Sequence, residues 1–169
     1  MVVRMMIIYT MDMTHIVLTS KNLTSLHSQY LIFPSLDTND IIIEYSRNTP
    51  NKYIMEDAII RYREHNRICA DVVEVFLRIE DGTLIEYSFD GYMSIIATAC
   101  VSITGESLVG SDIAYILTLD ESYVRTLIGD GISPRRRNAS IIGLLAVKNA
   151  IHEYLADGKR EDFSDIMLW

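Results

Sequence analysis

Residues 72–89, VVEVFLRIEDGTLIEYSF, carry the clearest structural pattern of the chain. Apolar and polar side chains alternate on both sides of an Asp-Gly pair, which is typical of two half-buried antiparallel strands joined by a tight turn. A two-residue turn would set Leu77 against Glu86, whereas a three-residue loop pairs Leu77 with Ile85. We predict the three-residue loop, with Gly82 in the left-handed region, because this register gives one continuous apolar face.

Helical periodicity replaces the alternation from Ser94 onward. Four helices are predicted there: the first from Ser94 to about Gly110, a short second one capped by Ser111 or Asp112, a third capped by Asp120 and closed by Gly129, and a last one from Pro134 to about Leu155. Strands followed by helices predict an α+β domain, in which helices lie on one face of an antiparallel sheet.

Weaker signals precede the hairpin. Residues 1–40 hold short β-favouring runs of uncertain structure, and residues 40–48 predict a short helix or strand that ends before Pro50. Residues 50–68 predict a loop with one helical turn around residues 56–63. The chain accordingly divides into an N-terminal extension (residues 1–40), one domain (41–156) and a C-terminal tail (157–169).

Charge and composition exclude several classes of protein. A chain of 169 residues with a net charge of −8 can bury a real core, but it lacks the basic surface that nucleic-acid binding needs. No apolar run approaches the roughly 18 residues that span a bilayer, and two widely separated cysteines indicate a reducing compartment. We therefore expect a soluble cytoplasmic protein that binds neither nucleic acid nor membrane. Three consecutive arginines at residues 135–137 fit a solvated turn or a docking patch.

Cys69 is the residue best placed for chemistry, because it stands where a loop meets the first strand of the hairpin. A thiol at such a junction can be exposed and mobile, as a nucleophile or a metal ligand must be, and Asp71 adds an oxygen ligand two residues on. His65 becomes a second ligand or a base if the loop folds back. The alternative is a half-buried packing cysteine beside a turn-capping aspartate. Cys100, on the apolar face of a predicted helix, is expected to be part of the core.

Several motifs follow one another in a recognisable order. Cys69-Ala70-Asp71 is followed by the hairpin, by Phe89-Asp90-Gly91-Tyr92-Met93-Ser94, by an Ala/Ser/Thr-rich helix and by a final helix after Ser133-Pro134. Over residues 44–156 the chain resembles the iron–sulfur cluster scaffold family, which includes IscU, SufU and the NifU N-terminal domain and shares a superfamily with SufE. The resemblance implies a three-stranded antiparallel sheet with helices packed on one face.

The resemblance also assigns roles to two residues. Cys69 and Asp71 match the Cys-Gly-Asp motif of the family, with Ala70 in place of the glycine. They would be ligands of an iron–sulfur cluster or of a single metal ion, held weakly, because a cluster needs about four soft ligands.

The other ligand positions of the family lack cysteines in this chain. The second cysteine belongs where Ser94 stands, and the third falls within residues 139–142, which contain none. The histidine that some members place beside the third falls near Asn138. The chain therefore resembles a divergent member that has lost most of the cluster cysteines.

A single cysteine is enough for a related chemistry. Residues 120–138 are similar to the closing segment of SufE, which has the same fold and accepts sulfur from a cysteine desulfurase on one cysteine. Cys69 would be that cysteine, since a thiolate can attack an enzyme-bound persulfide and carry its sulfur away. The partner would then be a desulfurase or another assembly protein, and the resemblance leaves a homo-oligomer open.

Three interpretations remain. The first is an assembly factor that works through Cys69 as sulfur acceptor or partial metal ligand. The second is a paralogue that has lost the chemistry and binds a partner, and the third is an unrelated α+β binding domain. The chain has no phosphate-binding loop, no Gly-x-Ser-x-Gly elbow and no His-Glu-x-x-His, so we expect that it is not an enzyme.

Overall fold

The structure is a computed structural model that describes residues 37–167. The short β-favouring runs predicted before residue 37 lie outside this range. In chain order, the elements are α1 (Thr38–Arg47), β1 (Ile60–Asn66), β2 (Asp71–Glu80), β3 (Thr83–Tyr92), α2 (Ile95–Leu108), α3 (Ile113–Leu117), α4 (Glu121–Ile128), a 3₁₀ turn (Pro134–Arg136), α5 (Arg137–Leu155) and α6 (Phe163–Ile166).

The three strands form one antiparallel sheet in the order β1-β2-β3. Helix α5 packs against β1 and β2, and α2 packs against β3 and α5. Helix α1 in turn packs against α2. The predicted α+β architecture is therefore confirmed. Within the described range no helix combines the length and the apolar character needed to cross a membrane.

The hairpin turn differs from the prediction. It is a two-residue turn in which Asp81 and Gly82 both have positive φ, 49° and 75°, as a type I′ turn requires. Ile79 pairs with Leu84 across this turn. The predicted left-handed glycine is present, but the three-residue loop was wrong, and so was its pairing of Leu77 with Ile85, because Leu77 pairs with Tyr87.

A β-bulge brings apolar residues opposite apolar residues again, which a two-residue turn alone would not have done. The pairing steps from Ile79 with Leu84 to Arg78 with Glu86, so that Ile85 is the extra residue. Beyond the bulge the pairing is apolar against apolar, as in Leu77 with Tyr87 and Val75 with Phe89. The prediction failed because it considered turn length alone, and an inserted residue in one strand compensates for a shorter turn.

Strand β1 was predicted as a loop with a helical turn, and this was wrong. The more buried side of β1 carries Ile60 and Tyr62, but then Glu64 and Asn66, so the expected apolar alternation is missing from the sequence. Both polar residues are buried because they find hydrogen-bond partners elsewhere in the fold, Asn149 and Asp71.

Helices α2, α3 and α4 begin where their capping residues predicted, whereas α5 begins at Arg137, after a 3₁₀ turn, and no side chain caps it. The side chains of Ser94, Asp112 and Asp120 each accept a backbone N–H in the first turn of α2, α3 and α4. Gly129 ends α4 with a φ of 79°. The segment at 40–48, left open between helix and strand, lies mostly in helix α1.

Helix α5 is the centre of the domain. Residues 139–152 are buried without interruption, which explains why the helix has no clear polar face. Besides Ser140 near the start of the helix, three of these buried residues are polar, namely Lys148, Asn149 and His152. They mark the end of α5 that meets β1 and the C-terminal segment.

Candidate functional site

Cys69 lies in the turn of residues 67–70 that joins β1 to β2. It is a free, half-buried thiol, between the exposed residues Ile68 and Ala70. Ala70 has a φ of 56°, in the left-handed region that favours glycine. This conformation gives a physical reason for the glycine that the family places between its cysteine and aspartate.

Asp71 begins β2 and is only 1% exposed. Its Oδ1 accepts the backbone N–H of Ser94 at 2.7 Å, and its Oδ2 accepts the side-chain amide of Asn66 at 3.1 Å. The Oδ1 of Asn66 in turn accepts the backbone N–H of Ile68 at 3.2 Å. The carboxylate therefore ties the Cys69 turn to the start of helix α2.

The remaining ligand positions of the family do not supply soft ligands. The hydroxyl of Ser94 accepts the N–H of Ala97 at 3.4 Å and so caps α2. Ala139 and Ile142 are buried apolar residues in α5. Nowhere in residues 37–167 do three or more His, Cys, Asp or Glu side chains come together to hold a metal ion. This set does not fit an iron–sulfur cluster, which needs about four such ligands.

The other two candidate residues are placed differently from Cys69. Cys100 lies fully buried in α2, so its predicted place in the core is confirmed, and burial raises the pKa of its thiol to about 12. His65 lies in β1 opposite Val72 with an exposed side chain.

A cavity of about 490 Å³ lies beside the Cys69 turn. Its walls come from residues 64–68, from Asn138 and Leu145 of α5, and from residues 160–163. Asn138 and the turn therefore line the same cavity. The sequence did not indicate the third wall, since residues 157–169 were assigned to a tail.

One wall of this cavity belongs to a buried polar cluster around α5. Lys148 Nζ pairs with Glu161 at 2.7 Å and donates to the carbonyl of Leu119 at 2.8 Å. His152 lies between Asp157 and Glu161, at 2.8 and 3.3 Å. The only sequence signal for this cluster was a lysine in the apolar register of the last predicted helix.

The three consecutive arginines have divided roles. Arg137 pairs through its guanidinium with Glu121, Nε to Oε1 at 2.8 Å. Arg135 and Arg136 are exposed in the 3₁₀ turn.

Comparison with known proteins agrees with this fold. Residues 37–161 match the model of the NifU-like N terminal domain. A curated relative, the iron–sulfur cluster assembly scaffold protein IscU of Thermotoga maritima, is 25% identical over 83 residues, which cover 49% of this chain. The chain spans only 58% of the length of that relative.

Two solved structures share the fold. The N-terminal part of a NifU-like protein from Brucella abortus aligns with a TM-score of 0.60 and 16% identity, over 71% of this chain and 95% of the other. A SUF-system protein, FiSufU, from Fervidobacterium islandicum AW-1 also aligns with a TM-score of 0.60, at 15% identity, over 66% and 94% of the two chains. The expected resemblance is confirmed: because the family model matches more than half of its length, this chain belongs to the NifU-like N-terminal domain family.

Proposed function

We propose that this protein takes part in iron–sulfur cluster assembly as a sulfur acceptor, with Cys69 as the residue that receives the sulfur. The observation that carries the proposal is the contrast between its two thiols. Cys69 lies partly exposed on a turn, whereas Cys100 is buried in the core. The family membership supplies the context, and the lack of further cysteines at its ligand positions favours a carrier over a cluster scaffold.

The reaction needs only one cysteine on this chain. The thiolate of Cys69 attacks the terminal sulfur of a persulfide on a cysteine desulfurase. A new S–S bond forms on Cys69, the S–S bond of the desulfurase breaks, and the desulfurase cysteine leaves as a thiolate. The proton of the Cys69 thiol goes to solvent, and there is no net oxidation or reduction. The thiolate of a later acceptor then attacks the outer sulfur of the Cys69 persulfide, and the S–S bond on Cys69 breaks to release the Cys69 thiolate. The protein is therefore a carrier and not an enzyme.

The surroundings of the turn favour contact with a protein partner. Ile68, Tyr92 and Ile95 are 76%, 83% and 66% exposed, the highest values among the large apolar side chains of residues 37–167. Ile68 precedes Cys69, Tyr92 pairs with Val72 across the sheet, and Ile95 opens α2. Such side chains favour a docking surface, and they also support the second candidate function, a paralogue that binds a partner without carrying sulfur.

A cytoplasmic setting is part of the proposal, because a carrier thiol must stay reduced between cycles. The exposed Arg135 and Arg136 suit contact with an acidic surface of a partner.

Mass spectrometry of the intact protein tests the proposal. After incubation with a cysteine desulfurase and free cysteine, the protein is expected to gain the mass of one sulfur atom, on Cys69. Cys69→Ser should abolish the gain, whereas Cys100→Ala, the matched control, should keep it.

The sulfur-acceptor proposal is contradicted if Cys69 stays unmodified until the protein is denatured. The second candidate is favoured instead if no sulfur is transferred but the protein still binds the desulfurase, and if Tyr92→Ser weakens that binding while Cys69→Ser does not.

A further inference from the structure

Asp71 lies at the centre of a hydrogen-bond network, which a role as a metal ligand would not explain. Its two carboxylate oxygens accept from Ser94 N–H and from the amide of Asn66, and Asn66 accepts from Ile68 N–H. Asp71 and Asn66 are both 1% exposed. Hydrogen bonds to a carboxylate in a buried site are the strong ones, so we call this network the joint between the turn and helix α2.

The network joins three parts of the fold at Cys69. Asn66 ends β1, Ile68 lies in the turn, and Ser94 caps α2. Helix α2 has no acidic residue in its own first turn. The carboxylate of Asp71 therefore also supplies the negative charge that the positive end of the helix dipole favours.

The joint holds a turn that would otherwise relax. Ala70, between Cys69 and Asp71, has its φ at 56°, which is unfavourable for a residue with a Cβ. A strained residue persists only where its surroundings fix it. The bonds of Asp71 on one side and of Asn66 on the other provide that constraint.

A ligand role would have to dismantle this joint. A metal ion could reach Asp71 only by opening the contact between the turn and α2, because the carboxylate is buried with both oxygens bonded. We propose that Asp71 is a positioning residue, which fixes the Cys69 turn against helix α2, and that it is not a metal ligand. Its role toward Cys69 rests on the proposed function, but the joint itself does not.

Exchanging the side chains of Asn66 and Asp71 distinguishes a positioning role of Asp71 from a role as a metal ligand. Asp71→Asn alone sets the amide of Asn66 against a second amide and removes the charge. The double variant Asn66→Asp/Asp71→Asn restores every hydrogen bond: the carboxylate at position 66 accepts from Ile68 N–H and from the amide at 71, whose oxygen still accepts from Ser94 N–H. The joint is thus kept while the carboxylate leaves position 71. Ser94→Ala is the matched control, since it removes the cap of α2 but leaves the Ser94 backbone N–H in place.

Hydrogen exchange of the Ser94 amide is the first measurement. Asp71→Asn is expected to speed its exchange roughly 10- to 100-fold, because the two facing amides at positions 66 and 71 no longer hold the acceptor oxygen in place, and the double variant, whose two side chains are again complementary, should return it toward the wild-type rate. Sulfur transfer to Cys69 should fall about tenfold in Asp71→Asn, because the thiol is no longer held in position, and should recover in the double variant. Alkylation of Cys69 by iodoacetamide should stay at least as fast as in the wild type in all variants, because the thiol remains accessible.

Binding of Zn²⁺, which prefers thiolate and carboxylate ligands, decides the ligand question. Equal Zn²⁺ affinity in the wild type, Asp71→Asn and the double variant supports the positioning role. The proposal is overturned if the affinity falls in both variants together, or if Ser94 exchange is unchanged in Asp71→Asn. If the wild type accepts no sulfur at all, the proposed function fails, but Ser94 exchange and Zn²⁺ affinity still decide the role of Asp71. Should the double variant not fold, Asn66→Ala replaces it, because this change also breaks the network but keeps the carboxylate at position 71. Equal Zn²⁺ affinity in Asp71→Asn and Asn66→Ala then supports the positioning role, and a fall confined to Asp71→Asn overturns it.

Discussion

Ala70 adopts a left-handed conformation beside the thiol that we propose to be reactive. For a residue with a Cβ this conformation costs roughly 1–2 kcal/mol, whereas glycine adopts it freely but loses more entropy on folding. Ala70→Gly is therefore expected to raise the free energy of unfolding by about 0.5–1 kcal/mol. Urea denaturation would measure this as a higher midpoint with an unchanged slope.

Ala156 provides a matched control for Ala70→Gly, because it is also an alanine with a positive φ. It ends α5 with a φ of 51°, far along the chain from the turn. Ala156→Gly should stabilise the protein by a similar amount and leave the alkylation rate of Cys69 unchanged. A loss of stability in Ala70→Gly would mean that the network around Asp71 needs the alanine side chain or its restricted backbone.

At the scale of elements, α2 lies close to the sheet because Gly105 faces the ring of Tyr87. A Cβ built at Gly105 would lie 1.8 Å from Tyr87 Cε1, and Tyr87 is buried with its hydroxyl bonded to the carbonyl of Val101. The ring has no room to move away, so close approach here depends on glycine.

Gly105→Ala is therefore expected to lower the free energy of unfolding by about 2 kcal/mol, although alanine favours a helix by about 1 kcal/mol. Thermal or urea unfolding measures the change. In a Tyr87→Leu background the same substitution should be less destabilising, because a smaller side chain leaves room for the methyl group. An equal loss in both backgrounds would show that the ring is not the obstacle.

At the scale of the whole molecule, the polar cluster at the end of α5 fastens the C-terminal segment to the core. The carboxylate of Glu161 forms an ion pair with Lys148 and lies next to the ring of His152. The backbone N–H of Glu161 donates to the side chain of Asn149 at 2.8 Å. Asn149 also donates to Glu64 of β1 at 3.1 Å. Strand β1 and the segment after α5 are therefore held in place by the same few side chains.

We expect this cluster to make the free energy of unfolding depend on pH. Backbone N–H donation from Lys159 and the bond to His152 hold the pKa of Asp157 below its ordinary value. A carboxyl whose pKa is lowered by folding adds stability above its unfolded pKa, and this contribution disappears as the pH falls through the folded pKa. Asp157→Asn should therefore reduce the free energy of unfolding at neutral pH, and the difference from the wild type should shrink in acid. Urea denaturation across a pH series measures it, and a difference that grows toward low pH would contradict the assignment.

Much of the fold follows from local sequence signals. The alternation in β2 and β3 and the capping side chains of Ser94, Asp112 and Asp120 act within a few residues, so they can be recognised without knowledge of the rest of the chain. Cys69 was singled out in the same way, by its position before a strand.

Only the tertiary structure decided the features in which distant residues meet. Strand β1 buries Glu64 and Asn66, which is favourable only because Asn149 and Asp71 lie opposite them in the fold. The bulge at Ile85 reconciles the turn with a face that must be apolar along its whole length. The hydrogen bond from the Ser94 N–H to Asp71, 23 residues away in the chain, likewise could not be recognised from a local pattern. The sequence by itself determined the two strands of the hairpin, helices α2 to α5 and the candidate thiol, because these depend on neighbouring residues, whereas the partners of buried polar groups depend on how the chain packs.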